Sequence, residues 1–237
     1  MAPPTTWSAS DRALLRSGLL LLLGFLALTA VVAQERLAAV DLAARALVHQ
    51  SHGPALLGLM EGASYAGGQP GQVALLTVGV VILWPRRRRW AVALPLVMAG
   101  AGALQLLAKW SVDRPRPNLD PWGFPSAHVL SLVVLCGYLA YAAGVGGKRR
   151  RWRHLLSGAC VGAVGTVAYS RIYLDAHWLS DVLGGLTMGL AYLLFAIWVV
   201  RSGPRFARVV RRTSLAPPSA GLMPAAAGAP GESPAES

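Results

Sequence analysis

Charge is scarce in this sequence. Asp, Glu, Lys and Arg make up 14% of its 237 residues, where a soluble domain carries about 25%. That shortage excludes an ordinary water-soluble domain. Cysteine is nearly absent. Cys136 and Cys160 each sit inside an apolar run, which excludes a disulfide framework and a zinc cluster and leaves buried free thiols. Asp and Glu number only 10, and no group of them is spaced to hold a metal. A soluble repeat unit is missing, and so is a convincing inverted repeat of the kind transporters carry.

What is present is a series of apolar runs, in a chain that is 54% hydrophobic. They approach or exceed the roughly 20 residues needed to cross a bilayer. They fall at about 13–33, 66–84, 90–108, 128–147, 155–171 and 182–200. The first ends in Val31-Val32-Ala33, which resembles a signal-peptidase site, but its apolar part exceeds the usual signal core of about 7–15 residues and reads as a retained span. Between the first two runs, Leu37, Val40, Ala44 and Leu47 recur at helical spacing, with Arg36, Asp41 and Arg45 elsewhere. That pattern predicts a short amphipathic helix lying in the interface. The second span starts upstream of Val73, near the Gly67-Gly68-Gln69-Pro70-Gly71 break. Residues 1–212 are therefore expected to form an all-α, integral membrane six-helix bundle. Residues 213–237, rich in Pro, Ala, Gly and Ser, read as a disordered tail.

The net charge of +12 invites a nucleic-acid reading. The placement of the charges argues against one. With a cytoplasmic amino terminus, 16 of the 22 lysines and arginines fall on the inside segments, as the positive-inside rule requires. The basic runs are then anchors at an anionic leaflet, and no nucleic-acid partner is needed. Both termini are expected in the cytoplasm of a cell with this chain in its inner (plasma) membrane. Lys109, Arg114, Arg116 and Arg171 break the rule by lying on the outer side, flanking spans four and five. Lining an anion site is the simplest reason.

Three segments meet on that outer face: Lys109 to Pro117, Pro125-Ser126-Ala127-His128, and Ser170 to Asp181. Phosphoryl transfer needs positioning and dispersed positive charge around the equatorial oxygens. Arginine supplies it through bidentate hydrogen bonds and lysine as a point charge. Ser126 reads as the cap of span four, whose free N–H groups, that of Ala127 included, favour an anion. His128 lies in that first turn, placed to protonate a departing oxygen. His177 and Asp181 are one helical turn apart, so a carboxylate can orient the imidazole as a nucleophile. Each residue alone has an ordinary interfacial reading; their joint spacing carries the inference.

The order and spacing resemble the signature of the type 2 phosphatidic acid phosphatase superfamily: K-x6-R-P, then P-S-G-H, then S-R-x5-H-x3-D. That family includes lipid phosphate phosphatases, bacterial phosphatidylglycerophosphate and undecaprenyl-diphosphate phosphatases, glucose-6-phosphatase and the soluble vanadium haloperoxidases. The six-residue gap selects Arg116 over Arg114, which is left auxiliary. The resemblance implies that His177 is the nucleophile, His128 the general acid and Asp181 the orienting carboxylate. Lys109, Arg116, Ser126, Ala127 and Arg171 would bind the phosphate, with no metal or cofactor. It implies a membrane lipid phosphate as substrate, whether an isoprenyl diphosphate, phosphatidic acid or phosphatidylglycerophosphate. It also implies an outward-facing site and a phosphohistidine intermediate. The one departure is Ala127 in place of glycine. Alanine is harmless in a first helical turn and strained if the position needs a positive φ; Ser126 as cap favours the first. The rivals are a lipid-phosphate-binding protein that has lost turnover and a phospholipid transporter. His49, His52 and His154 are given no role, and Trp122 and Phe124 are read as anchors of their loop at the interface.

Overall fold

A computed structural model of the chain describes residues 7–145 and 150–214; of the side chains at 150, 152, 153 and 204–214 nothing is said. The described residues are helical with no strand: α1 Ala9–Ala33, α2 Ala38–His49, α3 Pro54–Gly67, α4 Gln69–Ser111, α5 Ala127–Gly144, α6 Arg150–Tyr173 and α7 Leu179–Ser214. Residues up to Arg201 make one compact unit and those from Ser202 a second. In the second unit the described residues through Ser214 are helical. Thr213 and Ser214, expected in the tail, thus lie in helix, and the rest of the expected tail falls outside the described residues.

Five helices, α1, α4, α5, α6 and α7, are long and apolar enough to cross a membrane. Helix α4 is 43 residues long and breaks at Arg87, whose φ of −144° and ψ of 44° are not helical. Gly79 and Leu94 lie 15 residues apart, about 22 Å along a straight helix. Yet a Cβ on Gly79 would stand 3.3 Å from a Leu94 methyl. The helix therefore doubles back, with one leg starting at Gln69 and the other ending at Ser111. Pro85 beside the basic run marks the bend in sequence, because proline cannot complete the ladder there. Arg87 donates to the carbonyls of Ala142 and Ala143 at the end of α5, where a cation suits the unsatisfied acceptors.

Helix α5 is the centre. Leu130, Val134, Leu135 and Tyr138 are wholly buried. Tyr138 donates to the Trp90 carbonyl at 3.0 Å, and Tyr192 of α7 donates to that of Val97 at 2.9 Å. Helix α1 begins at a capping box, with Asp11 N–H on Ser8 Oγ at 3.1 Å. It packs through Gly18 against Phe195 and turns Leu19, Leu20, Leu23 and Leu26 outward. Such an apolar belt is a liability in water and the natural surface in lipid.

Near the site the structure adds features the sequence did not announce and corrects the reading of Phe124. Residues 54–67 form a helix of their own, α3, opened by Pro54 at its first turn and packed between α4 and α6. Helix α2 exists as expected, but its polar face is the one turned inward: Asp41 is buried while Val40 and Leu47 are exposed. A lipid surface favours apolar groups outward and leaves charge to be satisfied by protein. Phe124 is a core residue, fully buried and stacked on Phe25 at 5.7 Å, while Trp122 stays 47% exposed.

Gly185 of α7 sits where α5 begins, and a Cβ there would stand 2.5 Å from the Ser126 carbonyl oxygen. Gly185→Ala is expected to cost about 1–3 kcal/mol through forced backbone movement, read as a lower unfolding midpoint in detergent.

Candidate active site

The three motif segments converge through backbone hydrogen bonds. Ser126 N–H donates to the Asp181 carbonyl at 2.9 Å, joining the start of α5 to the start of α7. Ala176 and His177 N–H groups both reach the Arg171 carbonyl at 3.0 Å, which folds the α6–α7 turn back on itself. Gly123 N–H donates to the Arg114 carbonyl at 2.7 Å, closing the α4–α5 loop.

The site is dry. Asp181 and Ser126 are 0% exposed, His177 1% and Lys109 6%. Lys109 donates to the Trp122 carbonyl, and Arg171 donates to Ser64 Oγ of α3. Arg116, Arg171 and Lys109 all act electrostatically on His128, and Arg116 and Arg171 also act on His177. Three buried side-chain donors here have no partner: Arg116 Nε, Ser126 Oγ and Arg171 Nε. A buried donor left unmade costs about 1–3 kcal/mol, so each of the three can take an acceptor.

His177 Nδ1 lies 3.4 Å from Asp181 Oδ2. A carboxylate only accepts, so the proton sits on Nδ1 and Nε2 keeps its lone pair. Burial holds the imidazole below its ordinary pKa, against the opposing pull of Asp181. Asp181 Oδ2 also accepts Trp178 N–H at 2.9 Å, the reciprocal bond of a helix start.

The match to known proteins follows the same segments. The model of the PAP2 superfamily matches residues 90–203. Decaprenylphosphoryl-5-phosphoribose phosphatase of Mycobacterium tuberculosis is 32% identical over 152 residues, which cover 57% of this chain and 76% of that protein. The chain belongs to the PAP2 superfamily. Phosphatidylglycerophosphatase B of Bacillus subtilis is 28% identical over 190 residues, covering 74% of this chain and 89% of that protein. The fold is shared with the crystal structure of the transmembrane PAP2 type phosphatidylglycerolphosphate phosphatase from Bacillus subtilis. There the TM-score is 0.70 at 22% identity, over 83% of this chain and 98% of that one. As a PAP2 member the chain is a lipid phosphatase.

Against the PAP2 pattern, Ala127 in place of glycine is accommodated. It is the first residue of α5, and among the described residues the non-glycine ones with positive φ are Glu35, Leu119, Trp122 and Asp175. Ser126 is the N-cap by position, but its side chain makes no cap bond, which is why its hydroxyl is unpartnered. The two arginine registers separate cleanly. Arg114 is engaged at both ends: Nη2 reaches Asp41 Oδ2 at 2.7 Å, and Nη1 reaches Asp181 Oδ1 at 3.0 Å and Ser180 Oγ at 2.5 Å. Arg116 is the one left with an unpartnered Nε.

The sequence reading missed the support from α2. Asp41 Oδ1 accepts Ser180 N–H at 2.8 Å and Oδ2 accepts Ser180 Oγ at 2.7 Å, so it caps α7 from another helix. One turn on, Arg45 grips Asp175 with two bonds of 2.7 and 2.8 Å, and His49 adds a third at 3.0 Å. Arg45 holds the Asp175 carboxyl below the usual carboxylate range. His52 lies 3.1 Å from the Tyr173 carbonyl oxygen. The available signal was the i, i+4, i+8 spacing of Asp41, Arg45 and His49, one face of a helix.

Removing one partner of a buried pair leaves the other uncompensated. Asp41→Ala is expected to destabilise the protein by about 3–5 kcal/mol. An unfolding midpoint equal to the parent's in detergent would show that α2 bears no such load.

Proposed function

We propose that this chain removes a phosphate from a membrane lipid through a phosphohistidine on His177, at the extracytoplasmic face of the plasma membrane. The observation that carries the reading is the trio of unpartnered buried donors, Arg116 Nε, Ser126 Oγ and Arg171 Nε, each from a different motif segment. A phosphate has the acceptor oxygens to satisfy them, and the phosphatase activities named for both relatives point the same way. The outward face and six crossings, with α4 counted as two legs, rest on the bias of 16 of 22 cations to the other side.

His177 Nε2 attacks phosphorus while Lys109, Arg116, Arg171 and the start of α5 disperse the charge on the equatorial oxygens. The bond from phosphorus to the lipid oxygen breaks, and His128 gives that oxygen its proton, releasing the alcohol. Neutral His128 then takes a proton from water. The hydroxide oxygen bonds to phosphorus, the P–N bond breaks, and phosphate leaves with His177 restored. Asp181 keeps the Nδ1 proton in place through both steps.

Purified protein in detergent is expected to release phosphate from lipid phosphates. His177→Ala and His128→Ala should each abolish release, and radiolabelled phosphate should be trapped on the parent but never on His177→Ala. Normal release by either variant refutes the assignments; binding without release by the parent marks a protein that has lost turnover. Asp181→Asn should lower kcat by about 10²–10⁴-fold, with circular dichroism reporting the fold.

The pH profile has a defined sign. A free imidazole titrates near pH 6.5, and burial lowers that of His177. His177 therefore stays a neutral nucleophile down through that pH and is lost only as pH falls through its lower value. The acid limb of kcat/KM that belongs to His177 should lie below about 6.5; a limb above it would contradict a buried neutral nucleophile.

A further inference from the structure

Asp181 holds the Nδ1 proton of His177, and Asp181 in turn needs holding. A carboxylate turns about a single bond, and its plane follows the donors that reach it best. The imidazole is the most distant of them. His177 Nδ1 lies 3.4 Å from Oδ2, against 2.9 Å for the Trp178 N–H on the same oxygen and 3.0 Å for Arg114 Nη1 on Oδ1. One good donor on each oxygen fixes the plane. Arg114 and the Trp178 amide therefore aim the carboxylate, and the imidazole takes the direction they leave it.

The Trp178 N–H comes with the start of α7. Arg114 lies in the α4–α5 loop and is placed by other groups. Its Nη1 also donates to Ser180 Oγ at 2.5 Å, and its Nη2 donates to Asp41 Oδ2 at 2.7 Å. Asp41, on α2, is buried and accepts the N–H and the hydroxyl of Ser180 at 2.8 and 2.7 Å. A guanidinium is a rigid planar fork, so fixing one arm at Asp41 sets the direction of the other arm at Asp181.

Charge follows the same line. Arg114 stands between two carboxylates. Paired with Asp181 alone, it would spend its whole charge there. Shared with Asp41, it leaves Asp181 with negative charge for the imidazole, on which positive charge grows as Nε2 bonds to phosphorus. The second contact of α2 offers a comparison. Arg45, one turn on, ties α2 to the α6–α7 turn, but its two bonds go to Asp175.

We infer that Asp41 and Arg114 are positioning residues for the reaction, linked by Ser180, and that they act through Asp181 to orient His177 for attack. The inference rests on the reading of His177 as the nucleophile.

The test assays the full chain in detergent with short-chain phosphatidic acid and with farnesyl diphosphate, and carries the faster substrate through the variants. Asp41→Asn keeps the shape, and its amide oxygen still accepts the Ser180 N–H, but the charge is gone. It should lower kcat about tenfold with KM within about twofold of the parent. Arg114→Lys keeps the charge without the fork and should show the same split. Ser180→Ala keeps its N–H on Asp41 and should lower kcat about threefold. Arg45→Gln loosens the same helix and should leave kcat within about twofold. In an Asp181→Asn background Asp41→Asn should cost nothing further, because residues that act as one unit are not additive.

Unchanged kcat in both Asp41→Asn and Ser180→Ala overturns the inference. So does a full further loss on top of Asp181→Asn, or a loss in Arg45→Gln equal to that in Asp41→Asn. A raised KM with parental kcat in Arg114→Lys also overturns it, by placing Arg114 on the phosphate. If circular dichroism shows Asp41→Asn unfolded, Ser180→Ala takes its place in the cycle with Asp181→Asn. Release by His177→Ala, or none by the parent from either lipid, refutes the proposed function and this inference with it.

Discussion

The structure depends on one carboxylate. Asp181 is wholly buried, and neither of its oxygens is idle: one takes Arg114, and the other takes His177 and the Trp178 amide. A lone buried carboxylate would be costly enough to change its own protonation. Here the cost is offset by a cation that is itself shared with Asp41. The result is a chain of charge running from α2 through the α4–α5 loop to α7, in a setting where few other charges are available. Breaking it at any point leaves a buried ion without its partner.

Around that chain lies the opposite arrangement. Lys109 and Arg171 are buried and Arg116 is partly exposed, and Arg116 acts unfavourably on both of the others. Like charges brought together with unpartnered donors make a poor structural element. They make a good receptor for a multiply charged anion, because the repulsion is relieved when the anion enters. The distinction between the two arginines of the loop follows from this. Arg114 is paired on two sides; Arg116, two residues on, keeps an unpartnered Nε. One extended turn of loop, stitched by Gly123 and Asp120, is enough to send alternate side chains to opposite tasks.

Much of this was legible in the residues. The apolar helices, the short helix α2 and the grouping of three motif segments follow from apolar run length, from helical period and from the spacing of His177 and Asp181. Less legible was α3, whose mild hydropathy gives no strong period. The inward polar face of α2 was not legible because amphipathic patterns are usually read against water. In a bilayer the apolar face is the one that can be left outside.

Sequence by itself determined which groups are present: two histidines, an aspartate and three cations at the family's spacings, and Ala127 where the family has glycine. Those facts are local, since helical period and motif distance need no partner to be counted. Tertiary structure decided the rest. It sets Ala127 in the first turn of α5, ties Asp41 to α7 across 139 residues of chain, and puts His128 at a cavity that His177 does not line. Contacts between segments far apart in the chain depend on how helices pack, and packing is fixed by the summed fit of many side chains that no short stretch contains.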